Sequence, residues 1–247
     1  MNEICQVLEW DTAFFGYRIA RLVPTRLTPE IVADALRWCS GHSIECLYFL
    51  ADSDHAETVR LAEQNGFSLQ DIRITFQYDL SDKAPKSAVL PAGLVIRPSN
   101  SEDSPHLEEI AANSYFHSRF YYDSHFSNEQ AQALYKEWIK KSCNGYADIV
   151  LVADKLGVPV GYVTCHLSIS SEGRIGLVGV HPAMRGNRIS QALLRFALNW
   201  FSKCHIQCVK VSTQGRNCRA QRLYQRCGFL TRTVRLWYHK WFLSSVL

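Results

Sequence analysis

The sequence predicts an α/β fold on a mixed sheet, and three observations carry that expectation. Apolar runs at 149–153, 160–167 and 175–180 are separated by Lys155-Leu156-Gly157 and Ser171-Glu172-Gly173, the pattern of an antiparallel meander with tight turns. Behind the meander the hydrophobic period alternates between helix and strand, which layers helices on the faces of one sheet. Ahead of it, residues 1–80 alternate in the same way, as a smaller N-terminal α/β domain. Residues 81–92, SDKAPKSAVLPA, carry two prolines and no period, and read as a linker to a larger domain at 93–247.

In chain order, 4–9 reads as a strand. Thr28 is a helix N-cap with Pro29 at the first helical position, and that helix runs to Cys39. A buried strand follows at 44–50, a helix at 54–64 stopped by Asn65-Gly66, and a bent strand at 67–80. The larger domain opens with a strand at 94–97 and helices at 103–114 and 128–142. After the meander come a helix at 189–203, a strand at 206–211, a short helix at 219–227 and a last strand at 230–242. One segment is echoed: Arg60-Leu61-Ala62-Glu63-Gln64-Asn65-Gly66-Phe67 parallels Arg222-Leu223-Tyr224-Gln225-Arg226-Cys227-Gly228-Phe229. Either this is a generic helix–Gly–strand junction, or the first domain is a degenerate half-copy of the second with Ala62 in the place of Tyr224.

Over 247 residues, 47% hydrophobic and 12% aromatic content exclude a disordered chain. No apolar run approaches the ~20 residues that cross a bilayer. The first ten residues, MNEICQVLEW, have no basic stretch followed by an apolar one, so no secretory leader is expected. Nine cysteines in that setting read as reduced thiols of a cytoplasmic protein. Cys204-His205 with Cys208 is the one tight cluster. It lacks the two close pairs of a structural zinc site, and no metal is expected.

The formal net charge of +4 hides an asymmetry. After Glu172 there are 13 basic and no acidic side chains, whereas residues 1–173 hold 14 basic and 23 acidic ones, a net of −9. Such a division points to a polyanionic partner. A nucleic acid fits poorly, because no helix-turn-helix or base-stacking motif is present and the acidic part would repel a long polyanion.

The chemistry concentrates in that basic stretch. Leu177-Val178-Gly179-Val180-His181-Pro182-Ala183-Met184-Arg185-Gly186-Asn187-Arg188-Ile189-Ser190 runs from a strand through a basic loop into a helix. The free N–H groups and positive dipole end of a helix N-terminus form an anion site. Arg185 and Arg188 stand beside it, and a guanidinium can give two parallel hydrogen bonds to a phosphate. The segment reads as a pyrophosphate cradle. Downstream lies Asn217-Cys218-Arg219-Ala220-Gln221-Arg222-Leu223-Tyr224, closed by Gly228-Phe229.

The two segments together resemble the GCN5-related N-acetyltransferases. The first is similar to their acyl-CoA signature Q/R-x-x-G-x-G/A, with Arg185 in first place, and the second to their N-x-x-A-x-x-L-Y-x-x-x-G-F. The match departs at Arg188 and Ser190, where the signature has Gly and Gly/Ala. The resemblance implies an acyl-CoA-binding fold, with acetyl-CoA held by Leu177, Val178, Gly179, Val180, Arg185, Gly186, Asn187, Arg188, Ile189, Ser190 and Asn217. Asn217 would hold the pantetheine arm or cap the following helix. Backbone N–H groups of 177–180 would polarise the thioester. Tyr224 falls at the general-acid position, and an ordinary tyrosine, with a pKa of about 10, is protonated at neutral pH.

Two more stretches, Trp10-Asp11-Thr12-Ala13-Phe14-Phe15-Gly16 and His117-Ser118-Arg119-Phe120 followed by Asp123-Ser124-His125-Phe126, resemble the nucleotide-sugar branch of that family. This implies acetylation of the 4-amine of a dTDP-4-amino-4,6-dideoxyhexose, the galacto epimer foremost, for surface polysaccharide. Asp11, Phe15, His117, Arg119, Phe120 and Tyr121 are the implied substrate contacts. Other readings are an acetyltransferase for another small-molecule or peptide amine, or an acyl-CoA-binding protein without turnover. A carboxylate base must come from residues 1–173, since none follows Glu172. Asp11, His117 and His181 are candidate bases. The last strand, ending in Trp237, Tyr238, Trp241 and Phe242, offers an edge for pairing with a second copy.

Overall fold

The computed structural model describes residues 3–81, 90–168 and 171–242. Most of the expected linker, 82–89, lies outside the described residues. The elements are β1 (Cys5–Val7), α1 (Glu9–Phe15), β2 (Ile19–Leu22), α2 (Pro29–Gly41), β3 (Cys46–Asp52), α3 (Ala56–Gln64), β4 (Ser68–Asp79), β5 (Leu94–Pro98), α4 (Ser104–Ala112), α5 (Arg119–Tyr122), α6 (Asn128–Lys141), β6 (Ile149–Lys155), β7 (Val158–Leu167), β8 (Glu172–Val180), α7 (Ile189–Lys203), β9 (Cys208–Gln214), α8 (Cys218–Arg226) and β10 (Leu230–Trp241). All ten strands join one mixed sheet in the order β1-β2-β3-β10-β4-β9-β8-β7-β6-β5.

Local chemistry sets the helix starts. Thr28 accepts from Ile31 N ahead of Pro29, which opens α2. Ser127 and Gln130 form a reciprocal capping box on α6. Helix α1 was not expected: residues 4–9 read as one strand, but Glu9 already opens a seven-residue helix ended by left-handed Gly16 (φ 76°). Too short for an apolar period, it is held by packing of Trp10, Phe14 and Phe15 against the core. The expected strand at 206–211 is shifted to β9, because His205 takes φ 57° and Ile206 turns inward. Glu172 and Gly173, read as turn residues, already belong to β8.

The echo extends through the sheet. Its offset, Arg60 to Arg222, is 162 residues. Moving each residue by that offset turns the β3–β10 ladder, Cys46↔Trp241 to Asp52↔Arg235, into the β9–β4 ladder, Cys208↔Asp79 to Gln214↔Arg73. In the central β4–β10 pair, Leu69↔Tyr238 becomes Thr231↔Phe76. The two unpaired bulge residues, Gln70 and Arg232, exchange as well. Ser43 and His205, likewise related, both have positive φ, and His55 and Asn217 both cap the following helix. Each half thus pairs its last strand with the penultimate strand of the other half.

This interleaving changes how the charge division is to be read. The acid-free stretch is not a separate tail, since β10 runs between β3 and β4. Arg235 pairs with Asp52 at 3.0 Å and Arg216 with Asp71 at 3.3 Å. It also removes the expected dimer edge: β10 is paired along both sides, and β1 and β5 are the sheet edges. One apolar cluster packs α7 and α8 on the sheet through Leu193, Ala197, Phe201 and Tyr224. A second packs α4 and α6 through Leu107, Ile110, Leu134 and Ile139.

Candidate active site

Strands β8 and β9 pair in parallel only from Glu172↔Cys208 to Ile175↔Val211. Beyond that point β8 carries a bulge against β7, between the pairs Val163↔Val178 and Cys165↔Ile175. A cavity of about 770 Å³ opens where the pairing stops, lined by Leu177, Val178 and Val180 of β8 and by Ser212, Thr213 and Gln214 of β9. Its far walls are the 182–190 loop, α8 and the segment 114–117.

The loop is built by backbone geometry. Pro182–Met184 form a single 3-10 turn. Arg185 is latched to two carbonyls, Nε to Val180 O at 3.1 Å and a terminal guanidinium nitrogen to Asn113 O at 2.6 Å, which ties the end of β8 to the end of α4. Gly186 has φ 86°, and Asn187 donates to Met184 O at 3.2 Å. Arg188 has φ 59° and ψ 12°, the left-handed conformation that glycine adopts at no steric cost. Arg188 thus stands at a position where a glycine would be free of strain. Arg188 is the N-cap of α7 and gives no side-chain cap, so the first N–H groups of the helix face the cavity mouth beside Ile189 and Ser190. With no acidic residue in that first turn, the arrangement suits the phosphates of an acyl-CoA.

Asn217 lines the cavity and caps α8, its side chain accepting from Ala220 N at 3.1 Å. Tyr224, about two helical turns on, is buried and also lines the cavity. Burial pushes its hydroxyl well above the ordinary range, which keeps it a proton donor. Leu177 N–H is already taken by Thr164 Oγ1 at 2.8 Å, so oxyanion donors along β8 must come from the residues after it. The ring of Tyr162 lies 2.8 Å from where a Cβ on Gly179 would stand, so Gly179 serves packing against β7 and α4.

The other expected residues divide. His117 lines the cavity, with Nδ1 buried and unpartnered. Phe15 and Phe120 are buried, stacked at 5.2 Å in the core behind it. Arg119 lies over the rings of Tyr48, Phe120 and Trp237 at 4.9, 4.3 and 4.2 Å. Burial raises the Asp11 carboxyl, against the pull of Arg119 and Lys141. Tyr121 packs edge-on to Phe116.

A second cavity of about 480 Å³ meets the first at Trp138, Gly176 and Leu177. Its remaining walls include Trp10, Lys141, Tyr146, Thr164, His166 and Arg174. Sequence reasoning missed this set. The residues come from five separate segments, and only the strand alternation of Thr164 with His166 and Arg174 with Gly176 hinted that they share one sheet face.

Comparison with known proteins agrees with this geometry. Residues 114–229 match the model of the acetyltransferase (GNAT) family. Spore coat polysaccharide biosynthesis protein SpsD of Bacillus subtilis is 33% identical over 144 residues, which cover 58% of this chain and only 50% of that protein. The dTDP-fucosamine acetyltransferase of Escherichia coli is 26% identical over 235 residues, covering 94% of this chain and 96% of that protein. A solved GCN5-related N-acetyltransferase from Sphaerobacter thermophilus superposes with a TM-score of 0.71 at 18% identity, over 98% of this chain and 77% of that one. A tandem GNAT protein from the clavulanic acid pathway gives 0.67 at 15% identity, over 93% and 77%. At these identities the two solved structures speak for the fold alone. Residues 114–229 thus carry the match to the acetyltransferase (GNAT) family, and the sheet that frames them has the fold of solved GNAT proteins.

Proposed function

We propose that the chain transfers an acetyl group from acetyl-CoA to the 4-amine of a dTDP-4-amino-4,6-dideoxyhexose, the galacto epimer foremost, in the making of a surface polysaccharide. The observation that carries this reading is the near full-length similarity to dTDP-fucosamine acetyltransferase, which spans both the family domain and the N-terminal strands interleaved with it. The match to a spore coat polysaccharide protein supports the same substrate class.

Acetyl-CoA, when bound, supplies the activated acyl group. Around it, the uncapped start of α7 with Arg188 would hold phosphates, the walls of β8 and β9 would hold the pantetheine arm, and Tyr224 would give its proton to the departing thiolate. The reading gives the protein no membrane role, and no helix among the described residues is long and apolar enough to cross a bilayer. A cytoplasmic setting fits substrates of this kind.

The experiment is thiol release from acetyl-CoA with the purified protein and dTDP-4-amino-4,6-dideoxygalactose, its gluco epimer, and a peptide with a free N-terminus. Turnover with the galacto epimer supports the proposal. Turnover with the peptide alone would move the activity to the second reading, which is motivated by 27% identity over 77 residues to yeast N-alpha-acetyltransferase 30. Binding of CoA with turnover of none of the three would leave an acyl-CoA-binding protein without this activity.

A further inference from the structure

We propose that the second cavity receives the acceptor, with Lys141 and Arg174 holding its anionic part and His166 accepting the proton of its amine. This rests on the acetyltransferase reading above and goes beyond it in naming the acceptor site and the base.

The placement follows from the bulge in β8. The two cavities share Gly176 and Leu177, so a nucleophile in one reaches a thioester in the other at that point. Gly176 has no side chain there, and a Cβ would come within 2.7 Å of His166 Nε2 and 2.6 Å of Thr164 Oγ1. The glycine on β8 thus makes room for an imidazole from β7. His166 is only 8% exposed, yet it lines the cavity. Its ring is fixed edge-on to Tyr146 at 5.4 Å and hydrogen-bonds to the Tyr146 backbone. Nε2 faces Thr164 Oγ1 at 3.4 Å, a hydroxyl that already accepts from Leu177 N–H and so has its own proton to give. The Nε2 lone pair is therefore the basic position beside the junction.

Charges of both signs surround the ring. Arg174 of β8 and Lys141 at the end of α6 stand on the cavity wall, while Asp148, just before β6, pulls the other way on the imidazole and accepts from Leu167 N at 2.7 Å. Burial first, then Arg174, lowers the His166 pKa below 6.5, so the imidazole is neutral at physiological pH and free to accept a proton. Lys141 lies 3.8 Å over the ring of Trp10, which presents an aromatic face and a cation together. An amine carrying a phosphate ester and a planar base fits that lining.

The step balances as follows. The neutral amine nitrogen bonds to the acetyl carbon as the carbon–sulfur bond breaks. The proton left on nitrogen goes to His166 Nε2, and the thiolate takes the Tyr224 hydroxyl proton. One proton passing from imidazolium to phenolate through water restores both groups, leaving amide and free thiol.

Two measurements test this. Titration of dTDP into the CoA-loaded protein reads the cavity without any turnover. K141A, at a half-exposed site, and R174A are expected to weaken dTDP at least about tenfold with CoA affinity unchanged. Absence of dTDP binding, or wild-type dTDP affinity in both variants, overturns the cavity assignment. H166Q is expected to keep dTDP and CoA affinity, to lose about 100-fold or more in kcat, and to lose the acidic limb of the rate that lies below pH 6.5, with recovery in imidazole buffer. Retention of that limb overturns the base, whatever happens to the rate. Intact dTDP binding without acetylation of any dTDP-4-amino sugar sinks the proposed substrate and leaves the anion-binding cavity supported.

Discussion

The ring of Phe76 on β4 lies 5.6 Å from the ring of Tyr224 on α8, so a strand from the N-terminal segment forms the wall behind the proposed general acid. Phe229 closes the other side at 6.0 Å. Tyr224→Phe keeps both contacts and removes only the hydroxyl. Its expected signature is a fall in kcat of about 100-fold or more with unchanged acetyl-CoA affinity and an unchanged melting temperature. Phe76→Ala, by contrast, should cost about 3–5 kcal/mol of stability, because Phe76 is 1% exposed. Normal turnover by the Tyr224→Phe variant would remove the hydroxyl from the mechanism.

Arg188 carries two separable properties, a charge at the start of α7 and a left-handed backbone. A non-glycine residue in that conformation costs about 1–2 kcal/mol, while glycine gives back about 0.5–1 kcal/mol in chain entropy. Arg188→Gly should therefore raise stability by about 0.5–1 kcal/mol, whereas Arg188→Ala should not. Both lose the charge, and both should weaken acetyl-CoA about fivefold, roughly 1 kcal/mol at this exposed position. Paired thermal melts and CoA titrations check it. Equal melting temperatures for the two variants would mean that the loop carries no strain.

The same residue marks how far sequence reading reaches. The strand–loop–helix at 177–190, the Asn217 cap and the place of Tyr224 on its helix were legible because each depends on local order: strand into loop, cap three residues before its acceptor, Tyr one turn beyond that acceptor. Local patterns also placed α2, α3, α6 and the meander. What was not legible depends on pairing across the chain. Nothing in 230–242 says that this strand will lie between β3 and β4, because its residues suit a buried strand anywhere. The charge count suffers in the same way, since Arg216 and Arg235 answer carboxylates far earlier in the chain. His166 escaped notice because its cavity is closed by α1, α6 and the turn after α6, all distant in sequence from the β7–β8 hairpin that carries it.

Arg97 on β5 should prove the costliest polar side chain to delete. Its guanidinium meets both Asp103 oxygens at 2.7 and 2.8 Å, and Asp154 Oδ2 at 2.7 and 3.0 Å. The hydrogen bonds to Asp103 and Asp154 raise the guanidinium pKa, and Arg97 in turn holds the Asp103 carboxyl below its usual range. The carboxylates are 4% and 8% exposed, so Arg97→Ala strands two charges between β5, β6 and the start of α4. The expected loss is about 3–5 kcal/mol in urea unfolding. Arg97→Lys should recover only part of it, since an ammonium cannot serve both carboxylates in a fork. A loss below about 1 kcal/mol for the alanine variant would place this network among exposed pairs.

His239 on β10 should make the fold acid-sensitive. It is fully buried, stacked on Tyr48 at 4.4 Å, with Nδ1 donating to Asp123 Oδ2 at 2.6 Å. Burial drives the imidazole pKa down to about 4, against the opposing pull of Asp123. Burial also works to raise Asp123, but donors from His239, Trp241 and His125 prevail and hold it below the carboxylate range. An unfolded histidine titrates near 6.5 and the folded one near 4, so in that window the unfolded chain binds a proton that the folded chain refuses. The stabilisation is complete above the upper value and is lost as pH falls toward the lower one, by an amount on the order of 3 kcal/mol. Asp123 has the same sign at lower pH, its contribution being present above the ordinary carboxylate value and lost as pH falls below it. His239→Gln keeps a donor for Asp123 but cannot titrate. Urea midpoints taken stepwise from neutral to acidic pH should fall for the wild-type protein and stay flatter for the variant. Parallel curves would show that the imidazole takes its proton without unfolding.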